Sequence, residues 1–452
     1  MDENKTAGQE VSLTANAEKV LRERYLKKDK KGKPIETPKE LFERVAKTVV
    51  AIEKKFNTTE ENIKDFEKKF FTLLAEGWFL PNSPTLMNAG REMGMLSACF
   101  VLPVGDSIDE IFSSVRNTAL IQKAGGGTGF SFSKLRPTGD IVNSSGTTTS
   151  GPLPFIKVFS EATNAIQQGA FRRGANMGMM RVDHPDIIAF IKIKENLKEL
   201  TNFNLSVSIT DRFMNDLEKD PNKEHVFINP RTNQEVKILK EDGSPWQVTE
   251  IFDLIVGHAW KTGEPGLIFI DRMNANNPVK HIGEIEATNP CGEQPLLPYE
   301  SCNLGSINLF KFIKQTKDGN YFDFEKFREV IKLTTRFLDN VIDANQYPIQ
   351  EIATMSRGNR KIGLGVMGFA DALFSLHIPY NSEEGIAFGK KIMRFLTEES
   401  HQASIDLAEE RGCFQLGWQY LGKKRNQDTQ CVHNHCGTNR NHFNHCQLLG
   451  RY

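Results

Sequence analysis

The chain has 452 residues, 39% of them hydrophobic and 25% charged, with 57 Lys+Arg set against 57 Asp+Glu. That length can bury a large core and suits two or three domains or one large α/β unit. Balanced charge excludes a global field for nucleic acid or an anionic membrane, so any phosphate binding has to come from local sites.

No apolar run approaches the roughly 18 residues of a membrane helix, and Met1-Asp2-Glu3-Asn4-Lys5 lacks the charged-then-apolar pattern of a signal peptide. The expectation is a cytoplasmic protein that contacts neither membrane nor nucleic acid. The seven cysteines are an odd number, and the four up to Cys413 are widely spread. That spread suits a reducing compartment better than a disulfide framework.

From Ser12 to Leu80 the pattern is amphipathic and helical, with Val20, Leu21, Tyr25, then Leu41, Val45, Val49, Val50 and Ile52 among Lys and Glu. Thr37-Pro38-Lys39-Glu40 reads as a helix start: a cap residue, a proline in the first turn and an acid after it. This segment has no glycine-rich nucleotide loop. From Pro81 onward short apolar runs alternate with longer helical patterns. Phe130-Ser131-Phe132-Ser133, Leu205-Ser206-Val207-Ser208-Ile209 and Leu267-Ile268-Phe269-Ile270 read as strands. Ser160 to Gln168, Ile251 to Thr262, Phe324 to Ala344 and Glu383 to Gly412 read as helices. Such alternation predicts an α/β architecture with a parallel core.

Asn289-Pro290-Cys291-Gly292-Glu293 sets a thiol between an amide and a carboxylate on a Pro/Gly-constrained loop, and Cys302 follows eleven residues after Cys291. Cys99, in Ser97-Ala98-Cys99-Phe100, has a similar small-residue context. One thiol between polar partners suits radical or nucleophilic chemistry, and two more can exchange electrons as a dithiol/disulfide pair. In an extended loop, Asn289, Cys291 and Glu293 would project on one side and converge on one ligand. The bland alternative is a structural cysteine in a turn and two unrelated core cysteines.

These residues resemble the active site of ribonucleotide reductases, and Asn-Pro-Cys-Gly-Glu-Gln-Pro-Leu-Leu-Pro is most similar to the adenosylcobalamin-dependent class II enzymes. The resemblance covers about Leu13 to Phe414. It implies a helical domain over residues 1–80, followed over residues 81–414 by an incomplete ten-stranded α/β barrel with Cys291 on a central finger loop. It further implies that Cys291 becomes a thiyl radical that takes the 3′-hydrogen of a ribonucleotide. Glu293 would act as base toward the 3′-hydroxyl and Asn289 would bind the ribose hydroxyls. Cys99 and Cys302 would form the reducing pair, restored by a thioredoxin-like partner. Ser83, Ser97, Ala98 and Gly125 match substrate-contacting positions. Asp106, Ser107 and Arg136 match a deoxynucleotide effector site, although Asp106-Ser107 reads equally as a helix cap. Ser144 to Gly151 and Gly169 to Asn176 resemble the loops that relay effector identity. The glycine run from Gly125 to Gly129 suits close backbone approach to a ligand, but lacks the Lys-Ser/Thr ending of a P-loop. A class I enzyme with a partner-generated radical is the alternative within the family, and whether a homodimer forms is left open.

Residues 415–452 depart from the family. Cys431-Val432-His433-Asn434-His435-Cys436 and His442-Phe443-Asn444-His445-Cys446 invite a zinc or nucleic-acid reading. Their spacing is irregular, however, and no metal site is expected. Shifting the codons by one base makes both this stretch and Gln415 to Leu421 compatible with family-like sequence. The expectation is a one-base frameshift near Phe414, with poor solubility and no turnover for the chain as it stands.

Overall fold

The computed structural model describes residues 11–142, 146–166, 173–317 and 319–412, which fall into two compact units. The expectations for Ser144, Ser145, Gly169 to Arg172, Cys413 and the tail lie outside the described residues.

One unit draws on Met1–Ala98 and Ser301–Tyr452. Its early helices are Ala15–Val20, Pro38–Val50 and Glu60–Ala75. The Pro38–Val50 helix starts where the sequence places it. Thr37 Oγ1 accepts from the Glu40 amide at 3.3 Å, and the Glu40 carboxylate accepts from the Thr37 amide at 2.7 Å. This capping box satisfies two N–H groups that the first turn leaves without partners. Leu41, Val45 and Val49 recur every four residues on one helical face. They are fully buried in a core with Phe70, Phe337 and Leu338. The Phe324–Ala344 helix has its sequence-based bounds, and Glu383–Arg411 ends one residue short of the expected Gly412. The Ser301–Asn308 strand pairs antiparallel with Phe79–Pro81 and parallel with Ile362–Met367.

A buried ion network ties four segments of this unit together. Glu53 accepts from Arg336 at 3.0 Å and from Arg411 at 2.6 Å. Asp339 in turn receives Arg411 at 2.7 Å and Arg360 at 3.0 Å. Charges this deep persist only when paired on every side.

The other unit, Cys99–Glu300, is the parallel part. Its strands run in the order Cys99–Val101, Gly127–Ser131, Asn176–Arg181, Phe203–Ile209 and Gly266–Phe269, each parallel to its neighbour. Parallel neighbours need crossover connections, and the helices Ile108–Lys123, Pro152–Ile166, Ile187–Lys192 and Val248–Thr262 lie within them. Phe130, Phe132, Phe159 and Phe203 fill the space beside the sheet, with the Phe130 and Phe159 rings 4.7 Å apart. Helices first and a parallel α/β sheet afterwards is the expected architecture.

Several boundaries differ from expectation, two of them at the start of an element rich in proline or glycine. The helix expected from Ser160 begins at Pro152, because prolines are tolerated in a first turn, whose amides lack helical partners anyway. The strand expected at Phe130 begins at Gly127, inside the glycine run from Gly125 to Gly129.

Candidate functional site

The cysteine motif forms a hairpin. Ala287–Thr288 pairs antiparallel with Pro295–Leu296, and the chain reverses over Asn289 to Gln294. The Gly292 amide donates to the Asn289 carbonyl at 3.0 Å, and Gly292 takes φ +82°, a conformation that favours glycine. This corrects the extended loop. In the turn, Asn289 is buried, Cys291 is exposed at the tip and Glu293 is half-buried. The three side chains therefore differ in exposure, and Cys291 is not enclosed.

Asn289 fastens the hairpin. Its Oδ1 accepts from the Gln294 amide at 2.9 Å, and its Nδ2 donates to Cys99 Sγ at 3.2 Å. From the Phe203–Ile209 strand, Asn204 Nδ2 donates to the Pro290 carbonyl at 2.6 Å. Nothing in the sequence pattern pointed to Asn204.

The hairpin lies against the strands Cys99–Val101, Gly127–Ser131 and Asn176–Arg181. The glycine run makes that approach feasible. A Cβ on Gly127 would stand 2.8 Å from Pro290 Cγ, and one on Gly129 only 1.7 Å from the Thr288 carbonyl oxygen. Gly129 thus receives the hairpin's backbone and Gly127 the Pro290 ring. Gly125, at φ +92° just after the Ile108–Lys123 helix, ends that helix.

Among the described residues the thiols are Cys99 and Cys302, both buried, and the exposed Cys291. Cys99 opens its strand, in register with Gly127. Cys302 belongs to the other unit, on the Ser301–Asn308 strand, where its Sγ donates to the Asn303 carbonyl at 3.1 Å. In that same unit the buried Ser97 Oγ accepts from Asn345 Nδ2 at 2.7 Å, and the Ala98 amide donates to the Cys302 carbonyl at 3.3 Å. Ser83 opens the Ser83–Asn88 helix, its hydroxyl 2.9 Å from that of Tyr25. Asn345 and Tyr25 also went unsignalled by the sequence.

A cavity of about 430 Å³ gathers Asp106, Ser107 and Arg136 with Ile111, Phe155 and Arg231. Of the pair Asp106-Ser107, Ser107 makes the cap of the Ile108–Lys123 helix, accepting from the Glu110 amide at 3.2 Å. Asp106 instead accepts from the Arg136 amide and from its Nε, each at 2.9 Å. Arg231 was not anticipated. It makes a two-point contact with Asp140, Nε to Oδ2 at 2.9 Å and Nη2 to Oδ1 at 2.7 Å. The Arg231 guanidinium holds the Asp140 carboxyl far below the usual carboxylate range. Among the described residues, no group of three or more His, Cys, Asp or Glu is placed to hold a metal ion.

Comparison with known proteins puts this geometry in context. Residues 11–94 match the model of the ribonucleotide reductase all-alpha domain, and residues 97–443 match that of the ribonucleotide reductase barrel domain. The chain is 47% identical to the vitamin B12-dependent ribonucleoside-diphosphate reductase of Thermoplasma acidophilum, over 94% of this chain and 61% of that protein. It is equally 47% identical to the Mycobacterium tuberculosis protein of the same name, over 90% of this chain and 56% of that one. A ribonucleoside-diphosphate reductase subunit alpha from Chlamydia muridarum is 30% identical, over 89% and 40%. The chain thus spans little more than half the length of its vitamin B12-dependent relatives. With matching models over both its helical and its parallel part, the chain belongs to the ribonucleotide reductase family.

Proposed function

We propose that this chain carries the thiol site and the effector pocket of an enzyme that reduces ribonucleotides to 2′-deoxyribonucleotides for DNA synthesis. The observation that carries the reading is the hairpin tip, which presents Cys291 while Asn289 bonds to Cys99. Cys291, as a thiyl radical, takes the 3′-hydrogen of the ribose and later returns it. Glu293 holds the proton of the 3′-hydroxyl. Loss of the 2′-hydroxyl as water requires two electrons and two protons, and Cys99 and Cys302 supply them as they close to a disulfide. A thioredoxin-like dithiol then reopens that disulfide. Asn289 binds the ribose hydroxyls after exchanging its bond to Cys99 for one to substrate, with Ser83, Ser97, Ala98 and Gly125 as further substrate contacts. The cavity at Asp106, Ser107 and Arg136 takes a deoxynucleoside triphosphate effector.

Adenosylcobalamin is the cofactor this reading favours, since the relatives at 47% identity are named vitamin B12-dependent and the alpha subunit stands at 30%. The site suits it: the cofactor brings its own ring nitrogens to the metal, and an exposed Cys291 thiol is approachable by so bulky a group. When bound it supplies the carbon-centred radical that oxidises a thiol, and Cys291 is the residue that would face it.

Because the chain spans 61% of the Thermoplasma protein's length, the test is a graft of residues 11–412 into that protein. Deoxynucleotide formation that requires adenosylcobalamin and stops in Cys291→Ser supports the reading. A folded graft equally active with serine at 291 overturns it. Activity that needs a second subunit and no adenosylcobalamin favours the class I alternative.

A further inference from the structure

The cavity beside Asp106 is lined by two guanidinium groups, and each already faces a carboxylate. Arg136 is fully committed: its backbone amide, Nε and Nη2 all donate to Asp106, at 2.9, 2.9 and 3.2 Å. Arg231 is held less completely. Its Nε and Nη2 go to Asp140, and among the described residues its Nη1 donates to nothing. It is also a third exposed. A charged donor with an unused N–H on a cavity wall is suited to an incoming anion. The planar fork that grips a carboxylate at two points grips a phosphate in the same way.

Asp140 sits at the base of a short antiparallel ladder. Its carbonyl accepts from the Thr149 amide at 2.9 Å, and the Gly139 amide donates to the Thr149 carbonyl at 2.9 Å. Thr149 itself lines the cavity. Asp140 keeps other donors if Arg231 leaves: the Ile141 amide at 2.8 Å and Asn229 Nδ2 at 3.3 Å. The carboxylate therefore remains solvated by N–H groups, which lowers the cost of exchange. Position also favours it, because the Arg231 amide is fixed to Asn229 Oδ1 at 2.9 Å. The backbone stays in place while the side chain swings.

We propose that Arg231 is a phosphate-binding residue of this cavity, and that a nucleotide phosphate displaces Asp140 from it and loosens the ladder at Gly139 and Thr149. This rests on the reading of the cavity as a nucleotide site and adds a counter-ion exchange to it. Asp140 then acts as an internal competitor. It occupies Arg231 when no anion is present and sets how strongly the ligand's charge bears on the adjoining ladder.

The experiment is equilibrium binding of each of the four 2′-deoxynucleoside triphosphates to the full chain, with the four deoxynucleosides as phosphate-free controls. Arg231→Gln should weaken triphosphate binding tenfold or more and leave deoxynucleoside binding unchanged. Asp140→Asn should tighten triphosphate binding several-fold, and should do nothing in an Arg231→Gln background. Thermal melting of each variant confirms that it is folded, and amide exchange at Gly139 and Thr149 should quicken when a triphosphate binds. If Asp140→Asn weakens or fails to change the affinity of a folded chain, the exchange is wrong while the nucleotide site survives. If the unmodified chain binds none of the eight compounds, both fail.

Discussion

Gly129→Ala is a single methyl with a large expected effect. Its Cβ would be 1.7 Å from the Thr288 carbonyl oxygen and 2.8 Å from the Thr288 carbonyl carbon. Carbon and oxygen tolerate about 3.3 Å, so the hairpin has to retreat by roughly 1.5 Å. Both colliding partners are backbone, and no rotamer change relieves them. Overpacking of this kind costs about 1–3 kcal/mol. For a unit the size of Cys99–Glu300, each kcal/mol lowers Tm by about 2–4 °C. A lifted hairpin also pulls Asn289 from Cys99 Sγ. Cys99 should therefore alkylate with iodoacetamide at least tenfold faster, as read by peptide mass spectrometry. Cys291, already exposed, should change little. Gly257→Ala is the matched control. In the Val248–Thr262 helix a Cβ there meets nothing within 4 Å, so the same substitution should stabilise by about 0.5–1 kcal/mol. Unchanged Tm and unchanged Cys99 labelling in Gly129→Ala would refute the argument that this glycine exists to receive the hairpin.

Asn289→Ala removes the acceptor for the Gln294 amide and the donor to Cys99, and should cost about 2–3 kcal/mol in urea unfolding. Asn289→Asp keeps the acceptor alone, so it should lose clearly less; equal losses would count against the hairpin-fastening role. Arg411→Leu leaves the buried carboxylates of Glu53 and Asp339 short of a partner, for an expected loss of about 3–5 kcal/mol; a near-neutral urea midpoint would contradict it. His184 provides the pH test. Its Nδ1 accepts from the Asp186 amide at 3.0 Å and its Nε2 lies 2.9 Å from the Leu135 carbonyl, the pattern of a neutral ring. Burial pushes its pKa below the usual 6.5. The unfolded chain therefore binds the proton first, and stability present above about pH 6.5 is lost as pH falls below it. His225, also pushed down by burial, adds to the slope. His184→Gln should flatten the dependence of Tm on pH between 5 and 7, and an unaltered slope would sink the assignment.

Local patterns in the chain were enough to place some of the regular elements. Helical periodicity gave Phe324–Ala344 its bounds, and a cap, a proline and an acid located the start of Pro38–Val50. Those signals arise from neighbours three and four residues apart, so they survive without a fold. The cysteine motif was legible for the same reason: its five residues are contiguous. What it looks like in space was not. A turn at Gly292 buried Asn289 and exposed Cys291, where an extended strand would have aligned them.

The meaning of the glycines and arginines lay further off. Gly129 is a glycine because Thr288 crosses it, and Arg231 matters because Asp140, 91 residues away in sequence, meets it at a cavity wall. Glu53 and Arg411 find each other across 358 residues. No pattern along the chain encodes such pairings, since they depend on which backbones come within a few ångströms once strands and helices pack. Residue chemistry and short-range spacing thus came with the sequence, while the folded arrangement chose which groups confront one another and which remain open to a ligand.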